Sequence, residues 1–144
     1  MKTVFYLFFV STIIIYSQSI NNIMESNEID STKFTIENCV NEFNIVKIVK
    51  KEVGYQYWFV DEDFIDGRTL KMSVIKPNSQ THKPHFHIED EFFFVFEGKA
   101  EFYLNGKTKT VEKLSTFYCP KNSIHGIKNV GDTELKYLVI KKIK

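Results

Sequence analysis

Asn105-Gly106 separates the run AEFYL (100–104) from KTKTVEKL (107–114), and no other short signal so narrows what this chain can become. Asn-Gly supplies the two positive φ angles of a two-residue hairpin turn, so the flanking runs are predicted to be antiparallel strands. The same grammar recurs along the chain. YQYWFV (55–60) is aromatic and β-prone, DEDFIDG (61–67) ends in the turn pair Asp66-Gly67, and RTLKMSVIK (68–76) alternates until Pro77, Asn78 and Ser79 break it. FFFVFE (92–97) stops at Gly98, and HGIKNV and ELKYLVIKK flank a turn at Gly131-Asp132. VNEFNIVKIVK, running from Cys39 toward Lys51, also alternates and reads as an entering strand. Eight to ten short strands at regular spacing, without a convincing amphipathic helix, predict an all-β sandwich or barrel.

A length of 144 residues, 43% hydrophobic and 15% aromatic, provides for one domain with a real core. Nineteen basic residues face eighteen acidic ones, for a net charge of +1, so no nucleic-acid footprint is written into the charge. Lys2 precedes the apolar run Val4 to Tyr16, and the small polar residues Ser17 and Ser19 follow it. That is the layout of a secretory signal peptide, and the run is shorter than the roughly 20 residues of a spanning helix. The expected organisation is a signal peptide over 1–19, a polar linker or N-terminal arm over 20–38, and a β-barrel domain over 39–144. A retained membrane anchor is the alternative. Removal of the signal implies a secreted or periplasmic protein with no membrane attachment. There Cys39 and Cys119 have the option of a disulfide, although two buried free thiols is the reading we prefer.

Of four histidines, two stand at i and i+2 in PHFHIEDEFFFVFEG (84–98). His85 and His87 share a face only if this segment is extended. Glu91 has the same parity, but straight strand would carry it roughly 13 Å from His87. The chain is therefore expected to turn at Ile88, Glu89 and Asp90, with the histidines ending one strand and Glu91 opening its antiparallel neighbour. From Glu91, Phe93 and Val95 follow inward, while Phe92, Phe94 and Phe96 face away. With both faces apolar, that strand is expected to be covered on both sides, by a second sheet or a partner subunit. Further on, His125 follows the turn containing Pro120.

His85-x-His87-x3-Glu91-x6-Gly98, followed by Pro120-x4-His125-x3-Asn129, resembles the two sequence motifs of the cupin superfamily at every spacing. The resemblance spans roughly residues 45–141. It implies a single antiparallel β-barrel of jelly-roll type, holding one metal through His85, His87, Glu91 and His125. Ser79, Leu114 and Asn122 stand where the family pattern has glycine. Asn tolerates a left-handed backbone, whereas the branched side chain of Leu114 resists one.

Three imidazoles and a carboxylate suit divalent iron, manganese, nickel or zinc, and donor type alone does not choose among them. An octahedral ion on four protein atoms keeps two positions for water, oxygen or substrate. The leading expectation is a metal-dependent enzyme of oxygenase, isomerase, lyase or decarboxylase type, acting on a small polar molecule, with sugar acids among the candidates. The alternative is a non-catalytic module binding a sugar or another small molecule. The apolar lining is assigned to Phe93, Val95 and Ile127, with Met72 or Val74. His82 is read as a wall residue, Glu89 and Asp90 as solvated turn residues, and no side chain receives a general-base role. A homodimer is expected.

Overall fold

The computed structural model describes residues 33–143. The signal peptide and most of the polar arm expected from the sequence lie outside them. The described residues fall into two units, divided between Asn41 and Glu42. In the first, the described residues hold one helical turn, α1 (Ile36–Cys39). A capping box starts it: the Asn38 N–H donates to Thr35 Oγ1 at 3.4 Å, and the Thr35 N–H donates to Asn38 Oδ1 at 2.9 Å.

The second unit is built from β1 (Val49–Lys51), β2 (Gly54–Val60), β3 (Arg68–Ile75), β4 (Glu91–Glu97), β5 (Lys99–Leu104), β6 (Lys107–Glu112), β7 (Ser115–Cys119), β8 (His125–Asn129) and β9 (Leu135–Lys142). All pairings are antiparallel. One sheet runs β1-β2-β3-β9-β4-β7 and the other β6-β5-β8. The expected all-β jelly roll is observed, as two sheets face to face without hydrogen-bonded closure between them. Among the described residues no helix is long and apolar enough to cross a membrane.

Because paired residues in a sheet share a face, the register states what points inward. One rung is Thr69, Lys141, Glu91 and Cys119, the next Trp58, Lys71, Val139, Phe93 and Phe117, and a third Gln56, Ser73, Tyr137, Val95 and Ser115. Opposite them, β5 and β8 present Ala100, Phe102 and Ile127 to a core that also holds Ile75 and Leu135. The rings of Phe93, Phe102 and Phe117 meet with centroids 4.5–5.9 Å apart, and that of Phe93 lies 6.4 Å from the His125 ring. Asn129, fully buried, ties the sheets together. Its amide shares two N–H donors among the carbonyls of Ile75, Lys76 and Thr133 at 2.8–3.0 Å, and its Oδ1 accepts from the Gly131 N–H at 2.9 Å.

Several expectations are corrected. The entering strand over VNEFNIVKIVK shrinks to β1. Ahead of it, Asn44 accepts the Val46 N–H at 2.9 Å and winds Ile45–Lys47 into a 3₁₀ turn. Phe43 and Ile48 instead cover the outer face of β2 and β3, where Tyr57, Met72 and Val74 form a second cluster. Met72 and Val74 thus face away from the cavity they were expected to line. Within this chain one face of β4 is covered, with Phe93 6% and Val95 0% exposed; on the other face Phe92 is 51% and Phe94 36% exposed, which leaves a partner subunit as the cover expected there. Both cysteines are free thiols, Cys119 buried and Cys39 exposed, so only one matches the expected burial. At the positions of the missing glycines, Leu114 (φ +64°) and Asn122 (φ +61°) both adopt left-handed backbone.

Candidate metal centre

His85 sits in an extended stretch that forms an isolated bridge to His125: the His85 N–H donates to the His125 carbonyl at 3.0 Å, and the reverse bond is 2.8 Å. Residues that exchange both bonds point the same way, so the two rings lie over one spot with centroids 4.8 Å apart. His87 follows two residues later, its carbonyl fixed by the Asn122 N–H at 2.8 Å. One candidate donor atom from each of His85, His87 and His125 can be chosen so that all lie within 4.8 Å of one another. Glu91 opens β4, as expected, but the strands beside it are β7 and β9. The histidine segment bridges to β8 of the other sheet instead, so the cluster draws on both sheets and closes the space between them.

The hydrogen bonds define the tautomers. His87 Nδ1 lies 2.8 Å from the Glu89 carbonyl and His125 Nδ1 lies 2.9 Å from the Ser123 carbonyl, so in each neutral ring Nδ1 carries the proton and Nε2 the lone pair. Both Nε2 atoms are buried without a hydrogen-bond partner. Glu91 comes close to them, Oε1 at 3.3 Å from His87 and Oε2 at 3.4 Å from His125, but neither approach has hydrogen-bond geometry. Buried acceptors with their back nitrogens pinned to carbonyls and a carboxylate between them fit a divalent cation. The three histidines could hold one, with Glu91 placed to join them.

Charge is distributed in keeping with this. Burial alone would raise the Glu91 pKa, but His125, His87 and Lys141 outweigh it and hold the carboxyl below its ordinary value. For His125, burial pulls downward while Glu91 and the Ser123 carbonyl lift the pKa above the usual imidazole value. His85 is pushed down by burial and by the neighbouring rings of His82, His125 and His87.

The cavity above the cluster measures about 230 Å³, and its walls include Phe93, Ile127 and Val139 from the core, with Gln56, Lys71 and Ser73 on the polar side. His82 belongs to the rim, its ring 4.4 Å from that of His85. Glu89 is more than a solvated turn residue, since its carboxylate reaches His87 Nδ1 at 3.4 Å and Lys141 Nζ at 3.6 Å. Lys71, Lys141 and Tyr137 were missed by sequence reasoning. Parity was the available signal: Thr69, Lys71 and Ser73 alternate with Leu70, Met72 and Val74, and an apolar-inward rule selects the wrong set.

Residues 71–141 match the family model of the cupin domain. An uncharacterised protein of Methanocaldococcus jannaschii is 27% identical over 71 residues, 49% of this chain and 57% of that protein. The fold is similar to a polyketide cyclase of Streptomyces resistomycificus (TM-score 0.62, 19% identity, covering 73% of this chain and 80% of the other). It is similar also to a cupin 2 conserved barrel domain protein of Salinispora arenicola (TM-score 0.60, 16% identity, 71% and 86%). A predicted oxalate decarboxylase of Thermotoga maritima superimposes with a TM-score of 0.56 at 20% identity, over 62% of this chain and 80% of that one.

Proposed function

We propose that this chain, whose residues 71–141 match the cupin domain model, is a member of the cupin superfamily that holds one divalent metal ion through His85, His87, Glu91 and His125 and acts on a small polar molecule beside it. The observation that carries this reading is the pair of buried, unpartnered Nε2 atoms at His87 and His125. Iron, manganese, nickel and zinc all suit the donor set. A bound ion of this kind would supply Lewis acidity toward an oxygen donor. The chain's own residues supply position and dryness. Carbonyls of Glu89 and Ser123 fix two imidazoles, and Phe93, Ile127 and Val139 keep one wall apolar. We favour an enzyme of oxygenase, isomerase, lyase or decarboxylase type, with sugar acids among the substrates to try.

One observation favours a second reading, a non-catalytic binding module. Tyr137 and Cys119, two weak acids beside the cluster, are each pushed up to about 12 by burial, far from the range of a working general base. Elemental analysis of protein purified without affinity-tag metals tests the shared premise, with about one equivalent of ion expected. A substrate panel followed by thermal shift then separates the readings, since stabilisation without turnover identifies the module. Absence of metal would end both.

Two further parts of the reading concern assembly and place. The exposed rung of Tyr118, Phe92 and Ile140 adjoins the open edge at β7, an arrangement suited to a second copy of this chain. Export is proposed on Lys2 and the apolar run Val4 to Tyr16. N-terminal sequencing of the protein from the periplasm or medium should begin just after Ser17 or Ser19, and intact Met1 on cytoplasmic protein would contradict it.

A further inference from the structure

The two lysines beside the cluster differ in their partners. Lys141 has carboxylates at 3.6 Å (Glu89) and 3.8 Å (Glu91). Lys71 is half-buried on the inner face of β3, and among the described residues no carboxylate lies within ion-pair distance of its ammonium. Trp58 holds it from one side, with Nζ 5.0 Å from the ring centroid. Its rung continues through Val139 to Phe93, whose ring lies 6.4 Å from that of His125, so Lys71 and the histidines are walls of one cavity.

An ammonium removed from water without a counter-ion destabilises the fold, and burial lowers its pKa accordingly. No core-packing role calls for a charge at this position on β3, where the other residues of the same face, Thr69, Ser73 and Ile75, are uncharged and buried. The arrangement becomes favourable once an anion enters the cavity, since a charge-assisted hydrogen bond in a partly dry site is among the stronger polar contacts available. Gln56 and Ser73, paired on the adjacent rung, add uncharged donors on the same wall.

We infer that Lys71 is the anion-recognising residue of this cavity, and that the molecule taken up is a small carboxylic acid. Its carboxylate pairs with Lys71 while a second oxygen donor faces the histidine cluster. The inference rests on the metal site proposed above. At about 230 Å³ the cavity falls below the roughly 300–1,000 Å³ of drug-sized sites, which favours acids of a few carbons, such as hydroxy acids.

Glycolate and glycolamide share shape and hydroxyl donor and differ in charge, so they serve as probes. Binding of each is measured by calorimetry to protein carrying the ion with which it is purified, for wild type, Lys71→Gln and Lys71→Arg, with metal content determined on every sample. Lys71→Gln should weaken glycolate about tenfold or more and leave glycolamide unchanged, while Lys71→Arg recovers most of the loss. Metal content should be equal in all three. If metal is present and Lys71→Gln leaves glycolate unchanged, weakens both probes alike, or wild type does not bind glycolate at all, Lys71 does not recognise anions. Wild type lacking metal would instead sink the metal reading, a result visible before any probe is added.

Discussion

His85 and His125, forty residues apart in the chain, are locked together by a reciprocal pair of backbone hydrogen bonds of 3.0 and 2.8 Å. The spacing of the cluster is thus set by main chain, and removing an imidazole leaves the bridge in place. His87→Ala should reduce bound metal by about tenfold or more, while the metal-free protein keeps its thermal stability to within about 1 kcal/mol. Elemental analysis and a melting curve on the chelator-treated protein check the two halves. Unchanged metal content would remove His87 from the ligand set.

Glu91 reaches two imidazoles, and Lys141 besides, so its carboxylate has an electrostatic role whether or not it touches an ion. Glu91→Gln keeps the shape and removes the charge. If Glu91 is a ligand, competition against a chromophoric chelator should show affinity falling about tenfold to a hundredfold. An affinity equal to wild type would mean that the three histidines bind alone.

Much of this was legible in the sequence, and the failures share a cause. Turn residues placed the hairpins because Asn105, Gly106 and Gly67 act locally, through positive φ angles that few residues tolerate. The histidines were found because their spacing has meaning only on extended chain. Strand β3 misled because the period-2 rule assumes an apolar interior. Here the interior carries a polar site, so Lys71 and Ser73 face in, and Met72 and Val74 pack beneath Phe43 and Ile48 on the outside. Whether a strand's apolar face meets the cavity or a covering segment is decided by tertiary structure, which alternation does not encode. The role of Asn129 was hidden likewise, since its partners lie fifty-three and fifty-four residues away at Lys76 and Ile75.

Phe92 stacks on Tyr118 with centroids 4.8 Å apart, yet both remain about half exposed, at 51% and 47%. If this rung joins two copies, Phe92→Asp should convert a dimer to a monomer in sedimentation velocity and leave metal content untouched. The outward orientation of Phe92 makes the change tolerable to the fold. A wild-type monomer at high micromolar concentration would remove the second copy from this face.

Leu114 is 75% exposed and sits at φ +64° with its N–H bonded to the Val95 carbonyl at 2.7 Å. A non-glycine residue there costs about 1–2 kcal/mol, against roughly 0.5–1 kcal/mol of extra chain entropy lost by glycine on folding. Leu114→Gly should therefore stabilise the protein by about 0.5–1 kcal/mol in urea unfolding, and Leu114→Ala, which keeps a Cβ, should not. Equal midpoints for wild type and the glycine variant would show that the turn is unstrained.

Lys71 ties function to stability in the opposite direction. Its folded pKa lies below the ordinary value of 10.5, chiefly through burial, with the positive field of Lys141 adding to the shift and Glu91 opposing it. Between the folded and unfolded values the unfolded chain binds more protons, so stability contributed at this position rises as pH climbs through that window. Below the window the charged form is present in both states and the penalty is complete. Lys71→Met, which replaces a desolvated ammonium with an apolar chain of similar reach, should stabilise the metal-free protein at pH 7 by about 1 kcal/mol. That advantage should narrow as pH approaches 10.5, where wild-type Lys71 folds as the neutral amine. Melting curves of both proteins from pH 7 to 10.5 decide the matter, and a gap that stays constant with pH would mean the ammonium is not desolvated.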